Sequence, residues 1–159
     1  MTIGSGFNQD FLDMLRSLVE SGAEFVVVGA HAMAVHGVPR STGDMDILVR
    51  PTAENADLVL EALRLFGAPI EAHGVARKDF EIPGNVYQVG LPPRRIDLMT
   101  GLSGVDFDAA WASRVLIAVE GMEIPFLGLE ALRRNKKATG RAKDLVDLKL
   151  LGESSEERR

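Results

Sequence analysis

The chain has 159 residues, 46% of them hydrophobic, and a formal net charge of −5. That length and apolar content fit one folded domain with a small appendage, outside the disordered range, and the acidic balance excludes a general nucleic-acid coat while leaving room for a local basic groove. With no cysteine and three histidines, disulfides and thiolate zinc sites are excluded, whereas 23 acidic residues offer oxygen donors to a hard cation. In chain order, Asn8 to Glu20 reads as a helix, with Phe11, Leu12, Leu15, Leu18 and Val19 at helical spacing, Asn8 as its cap and Gly22 as its stop. Phe25 to Val28 is a fully apolar buried strand ending at Gly29, and Ala30 to His36 is a short alanine-rich helix. Pro39 to Gly43 is loop, and Asp44 to Val49 is a second strand. A helix opens at Pro51 and Thr52 and runs to about Phe66, stopped by Gly67 and Pro69.

The stretch 70–94 is the least legible, with a strand expected over Val86 to Val89. Arg95 to Met99 is a clearer strand, and Asp106 to Arg114 a short helix. Val115 to Val119 and Met122 to Phe126 form a hairpin through Glu120-Gly121. Helices over about Leu129 to Lys137 and Lys143 to Leu151 finish the chain, with a charged, frayed tail from Glu153. Helices alternating with strands predict a mixed α/β (α+β) domain, divided into a core over 1–127 and a helical segment over 128–159. No apolar run reaches about 18 residues, and no basic start with an apolar stretch opens the chain, so we expect no membrane span and a cytoplasmic location.

Chemistry concentrates around two strands. Asp44 and Asp46 lie two apart on a strand, so their carboxylates share a face while Met45 and Ile47 point into the core. Two neighbouring carboxylates repel, and a divalent cation is their natural partner; the plain alternative is a polar strand end in solvent. Asp97 sits between apolar Ile96 and Leu98. If its strand neighbours the first, three acids meet and suit two metal ions about 4 Å apart; otherwise Asp97 is an edge-strand acid facing water. Gly29 admits close approach to the backbone, and the free amides of the following helix start attract phosphate; an ordinary turn is the alternative. Residues 133–143 hold six cations, Arg133, Arg134, Lys136, Lys137, Arg141 and Lys143, which is either a local anion site or a solvated face. Asp144 and Asp147 can pair with them. Arg40 either clamps a phosphate or pairs with a carboxylate. His31 either lines the pocket beside Gly29 or is a hydrogen-bonded structural histidine, the reading we favour, and Trp111, Phe107 and Tyr87 are expected as core residues.

Gly29-Ala30, then thirteen residues, then Asp44-x-Asp46, then a strand-borne Asp97, resembles the polymerase-β nucleotidyltransferase superfamily. Within it, Val28-Gly-Ala-His-Ala, His36-Gly-x-Pro-Arg40, Thr42-Gly-Asp-Met-Asp46 and Lys136-x-x-x-Gly140-Arg-x-Lys-Asp144-x-x-Asp147 are similar to minimal bacterial nucleotidyltransferases related to AbiEii-type toxins. The resemblance covers most of residues 25–151. It implies a polymerase-β-type fold and a reaction that moves a nucleoside monophosphate from an NTP to a hydroxyl of RNA (a tRNA 3′ end) or protein, using Mg²⁺ or Mn²⁺. It implies Asp44, Asp46 and Asp97 as metal-binding and catalytic acids, and Gly29 and Ala30 in the nucleotide-phosphate loop beside Arg40 and Thr42. Many members carry a serine where this chain has Ala30, so only backbone donors remain there. Lys136 would meet phosphates, supported by Arg141, Lys143 and Asp144. A cognate toxin or antitoxin is the implied partner. The alternatives are a low-turnover, nucleotide-binding antitoxin-like module and a structural cation site without nucleotide.

Overall fold

Phe25, Val26, Val27 and Val28 are all at most 3% exposed, and this run explains the layout. Side chains alternate along a strand. Phe25 and Val27 join one apolar cluster and Val26 and Val28 the other, so the strand is covered on both faces. A computed structural model describes residues 2–3, 7–39 and 43–156. Its strands are β1 (Thr2–Ile3), β2 (Phe25–Val28), β3 (Met45–Val49), β4 (Val86–Val89), β5 (Ile96–Met99), β6 (Val115–Val119) and β7 (Met122–Phe126). Its helices are α1 (Gln9–Ser21), α2 (Gly29–Val35), α3 (Ala53–Phe66), α4 (Arg77–Glu81), α5 (Phe107–Ser113), α6 (Leu129–Thr139) and α7 (Ala142–Glu156).

The sheet has the order β1-β6-β7-β2-β3-β5-β4. It is mixed: β2 runs antiparallel to β3 but parallel to β7, and β5 runs parallel to β3 but antiparallel to β4. On one face lie α1 and α3, whose Met14, Leu15, Leu18, Val59 and Leu63 are fully buried. Each such side chain contributes about 2 kcal/mol of burial. The other face is covered by Ala32 and Met33 of α2, Phe107 and Ala110 of α5, Ala131 and Leu132 of α6 and Leu151 of α7.

Local signals set the element ends. Asn8 Oδ1 accepts from Phe11 N at 2.9 Å, and Thr52 Oγ1 from Asn55 N at 3.2 Å, capping α1 and α3. Asn55, 3% exposed, also accepts from Glu24 N at 2.7 Å and donates to the carbonyls of Glu24 and Arg50, tying the ends of β2 and β3 to α3. His36 Nε2 donates to Leu127 O at 2.7 Å and fastens the end of α2 to the exit of β7.

Two expectations are corrected, and one unassigned stretch resolves. Composition predicts a frayed tail from Glu153, yet α7 continues to Glu156. Its buried Asp144, Asp147 and Leu151 anchor the preceding turns, and adding residues to a formed helix is far easier than nucleating one. α6 runs two residues past Lys137 to Thr139 and stops at Gly140. The illegible stretch contains α4, a five-residue helix too short to show a period, held by Phe80 at 1% exposure and by Asp79 accepting from Ala76 N at 2.8 Å.

Candidate functional site

Strand register brings the acids together. Val28 pairs with Asp46, Asp46 with Asp97, and Asp97 with Gln88, so these four share one row across β2, β3, β5 and β4. Paired residues on neighbouring strands point to the same face. Asp46 and Asp97 therefore stand side by side on the face covered by α2, α5, α6 and α7. Because β5 lies between β3 and β4, Asp97 belongs to an interior strand, not an edge. It is 8% exposed. Asp44 lies one residue before β3, where its Oδ1 accepts from Arg95 N at 3.1 Å.

The electrostatics are strained. Burial pushes the Asp46 carboxyl up to about 6, and the neighbouring Asp97 and Asp44 carboxylates push in the same direction, against a partial offset from Arg95. Arg95 is the local cation. Its Nε lies 2.9 Å from Asp97 Oδ1, and its Nη2 lies 3.2 Å from Asp44 Oδ2 and 3.3 Å from Asp97 Oδ2. The donor chemistry, three hard carboxylates with excess negative charge on one face, fits a divalent cation such as Mg²⁺. Among the described residues no three such donors are already grouped as a metal cage, and the Arg95 guanidinium sits at the junction of Asp44 and Asp97.

Gly29 faces this cluster. Its φ is +68°, and a Cβ there would lie 2.5 Å from Asp46 Oδ2. Gly29→Ala is thus expected to push the Asp46 carboxylate aside and strain the backbone. It should destabilise the protein by about 1–3 kcal/mol, read as a lower thermal midpoint. Ala30 follows in the cleft wall. His31, stacked on Phe7 at 5.1 Å and edge-on to Phe11 at 5.6 Å, hydrogen-bonds the Asp44 backbone. Burial lowers its pKa, so it is a neutral structural ring that braces the segment carrying Asp44.

α6 and α7 stand across a cleft of about 490 Å³ from Asp46; Gly29, Ala30 and Asp46 line one side and Lys136, Arg141 and Lys143 the other, while Asp44 and Asp97 lie outside the lining. Lys136 Nζ lies 3.0 Å from Asp147 Oδ2 and 3.6 Å from Asp144 Oδ1. Arg141 Nε donates to Asp144 Oδ2 at 2.7 Å, and this bond holds the fully buried Asp144 well below the usual carboxylate range, against the opposing effect of burial. The six cations therefore divide. Lys136, Arg141 and Lys143 line the cleft, whereas Arg133 pairs with Glu130 and donates to Leu151 O at 3.0 Å as a structural tie. Arg134 and Lys137 are exposed outside the lining.

Arg40 and Thr42 lie outside the described residues. Trp111 and Tyr87 are partly buried and pack against the two apolar clusters. Arg95 joins the site beyond the residues the sequence motifs single out; its position two before Asp97 on a strand pattern puts it on the same face. Asn135 is a further member of the cleft lining. It is 8% exposed and donates to Ser103 O at 3.0 Å, fixing a loop of the cleft; a polar residue inside an amphipathic helix stripe was the available signal.

No family model matches the sequence, and comparison with curated proteins finds no match. Among solved structures, a protein from Thermotoga maritima described as a "putative nucleotidyltransferase" superposes on 92% of this chain and 96% of its own, with a TM-score of 0.55 and 20% sequence identity. No helix among the described residues is long and apolar enough to cross a membrane. The chain shares the mixed α/β fold of that solved structure, a mixed sheet flanked by helices, with Asp46 and Asp97 side by side on one face of its own sheet.

Proposed function

We propose that the protein is a metal-dependent nucleotidyltransferase that moves a nucleoside monophosphate from an NTP to a hydroxyl. The observation that carries this reading is the register pairing of Asp97 with Asp46, which itself sits against Gly29 across one cleft from Lys136, Arg141 and Lys143. Negative polyphosphate and a hard cation are the ligands that reconcile an acidic wall with a basic one. Asp44, Asp46 and Asp97 would hold Mg²⁺ or Mn²⁺. Once bound, the ion supplies charge neutralisation at the reacting phosphate and a lower pKa for the attacking hydroxyl.

The chain's own residues perform the rest. Gly29, lacking a side chain, lets the polyphosphate approach the backbone. Lys136, Arg141 and Lys143 attract it, with Asp144 and Asp147 fixing where the cations of Lys136 and Arg141 sit. The acceptor oxygen attacks the α-phosphorus, the bond to pyrophosphate breaks, and the hydroxyl proton passes to the Asp97 carboxylate. The segment 128–159 thereby completes the site begun by 1–127. An RNA 3′ end or a protein side chain is the acceptor class, in the setting of a cytoplasmic toxin–antitoxin pair of AbiEii type.

Incubation with α-labelled NTPs, Mg²⁺ and these acceptors tests the reading. Labelling should fall more than about 100-fold in Asp44→Ala/Asp46→Ala protein. Equal labelling by both proteins removes the proposed site. Tight NTP binding without product, together with stable co-purification of another protein, would instead favour a low-turnover nucleotide-binding module, which the missing hydroxyl at Ala30 motivates.

A further inference from the structure

Arg95 is placed where a metal-free acid cluster needs charge. One edge of its guanidinium spans two strands: Nε and Nη2 reach both oxygens of Asp97, and Nη2 also reaches Asp44 Oδ2. Its own backbone amide donates to Asp44 Oδ1 at 3.1 Å, and its carbonyl accepts from Met45 N at 2.9 Å. The residue thus aligns the start of β3 with the start of β5 through both backbone and side chain. Among the described residues its ion pairs are with Asp44 and Asp97 and not with Asp46. The side chain is 29% exposed, so it has a route outward into solvent. A planar fork saturates carboxylate oxygens, and those same oxygens are the donors a divalent cation requires.

We infer that Arg95 is an internal counter-ion occupying part of the cation site, and that metal loading proceeds by its displacement. This rests on the nucleotidyltransferase reading of the acids. Arg95 holds the carboxylates in register while the site is empty of metal, and its departure is a cost subtracted from metal affinity. The device raises the metal concentration at which the site fills. It also keeps Asp44 and Asp97 from splaying apart between turnovers.

The test is a Mn²⁺ titration of the NTP-free protein by calorimetry, with thermal melts in chelator and in Mn²⁺, on wild type, Arg95→Met, Arg95→Lys and Asp46→Asn. Arg95→Met should bind Mn²⁺ about tenfold more tightly than wild type, roughly the 1.4 kcal/mol of an ion pair no longer broken. Its melting point in chelator should fall, and Mn²⁺ should raise it by more than in wild type. Arg95→Lys, which keeps the charge without the fork, should lie between, and it provides the reading if Arg95→Met folds poorly. Equal or weaker Mn²⁺ binding by both Arg95 variants, with wild-type binding intact and lost in Asp46→Asn, overturns the role of Arg95 alone. Absence of Mn²⁺ binding in every protein, or binding unaffected by Asp46→Asn, overturns the acid site itself and the inference with it.

Discussion

Asp46→Asn is expected to raise the thermal midpoint of the metal-free protein while lowering nucleotidyl transfer more than about 100-fold. The two effects share one cause. Folding buries the Asp46 carboxyl beside Asp97 and Asp44 and lifts it to about 6 from an ordinary 3.8. Between those values the folded chain holds a proton that the unfolded chain has lost, so stability falls as pH rises through this window and stays lower above it. At pH 7 the penalty is at most about 3 kcal/mol, and about 1–2 kcal/mol after allowance for solvent screening. An amide removes both the charge and its pH dependence. For a chain of this size the gain is a few degrees in melting temperature at pH 7 and close to none at pH 4. Melts of both proteins in chelator at pH 4, 5, 6 and 7 read this directly. A variant no more stable than wild type at pH 7 would mean that the acids do not repel as their register demands. The stabilising change is expected to be the inactivating one, as when a site keeps charges together for the sake of a ligand.

The largest loss of stability is expected at Lys136, which sits 13% exposed between two buried carboxylates. Lys136→Met leaves Asp147, 7% exposed at its side chain, without that ammonium, and leaves Asp144 with Arg141. Breaking a buried pair from one side costs about 3 kcal/mol, or roughly 6–12 °C in melting temperature for this chain length. Adding Asp147→Asn should return part of that loss, because the amide carries no charge that has lost this ammonium. NTP affinity should stay at least about tenfold weaker in both proteins, since neither restores a cation to the cleft. Urea melts with NTP titrations by fluorescence or calorimetry separate the two effects. If the double variant recovers no stability beyond the single one, Lys136 and Asp147 do not form a unit. Asp144 adds a pH signature. Arg141 holds its carboxyl low, so its contribution is present above the ordinary carboxylate pKa and is lost only as pH falls through the depressed folded value.

The elements that strong local patterns specify were legible. The periodicity of Phe11, Leu15 and Leu18 with Asn8 and Gly22 gives α1 within a residue at either end, and the alternation around Met45 and Ile47 gives β3. Where a segment is short, pattern fails: α4 has five residues, fewer than two turns, and its one fully buried anchor, Phe80, shows no period. The end of α7 is not legible because composition alone marks Glu153 onward as solvated tail, whereas the burial of Asp144, Asp147 and Leu151 that anchors the helix is a tertiary fact. At the site, residue types were readable and pairings were not. The six cations between 133 and 143 look alike in sequence, yet the cleft takes Lys136, Arg141 and Lys143 while Arg133 is spent on Glu130 and Leu151.

By itself the sequence determined the alternation of helices with strands, the absence of thiolate chemistry, and the three aspartates on strand patterns. These follow from side-chain period and residue chemistry, which act over a few positions. Only the tertiary structure decided that β5 lies against β3 in the register that sets Asp97 beside Asp46, that α6 and α7 close the cleft opposite, and that Arg95 bridges Asp44 and Asp97. Strand order and register depend on contacts between residues about fifty positions apart, whose energy is collected only when both faces of the sheet are covered at once.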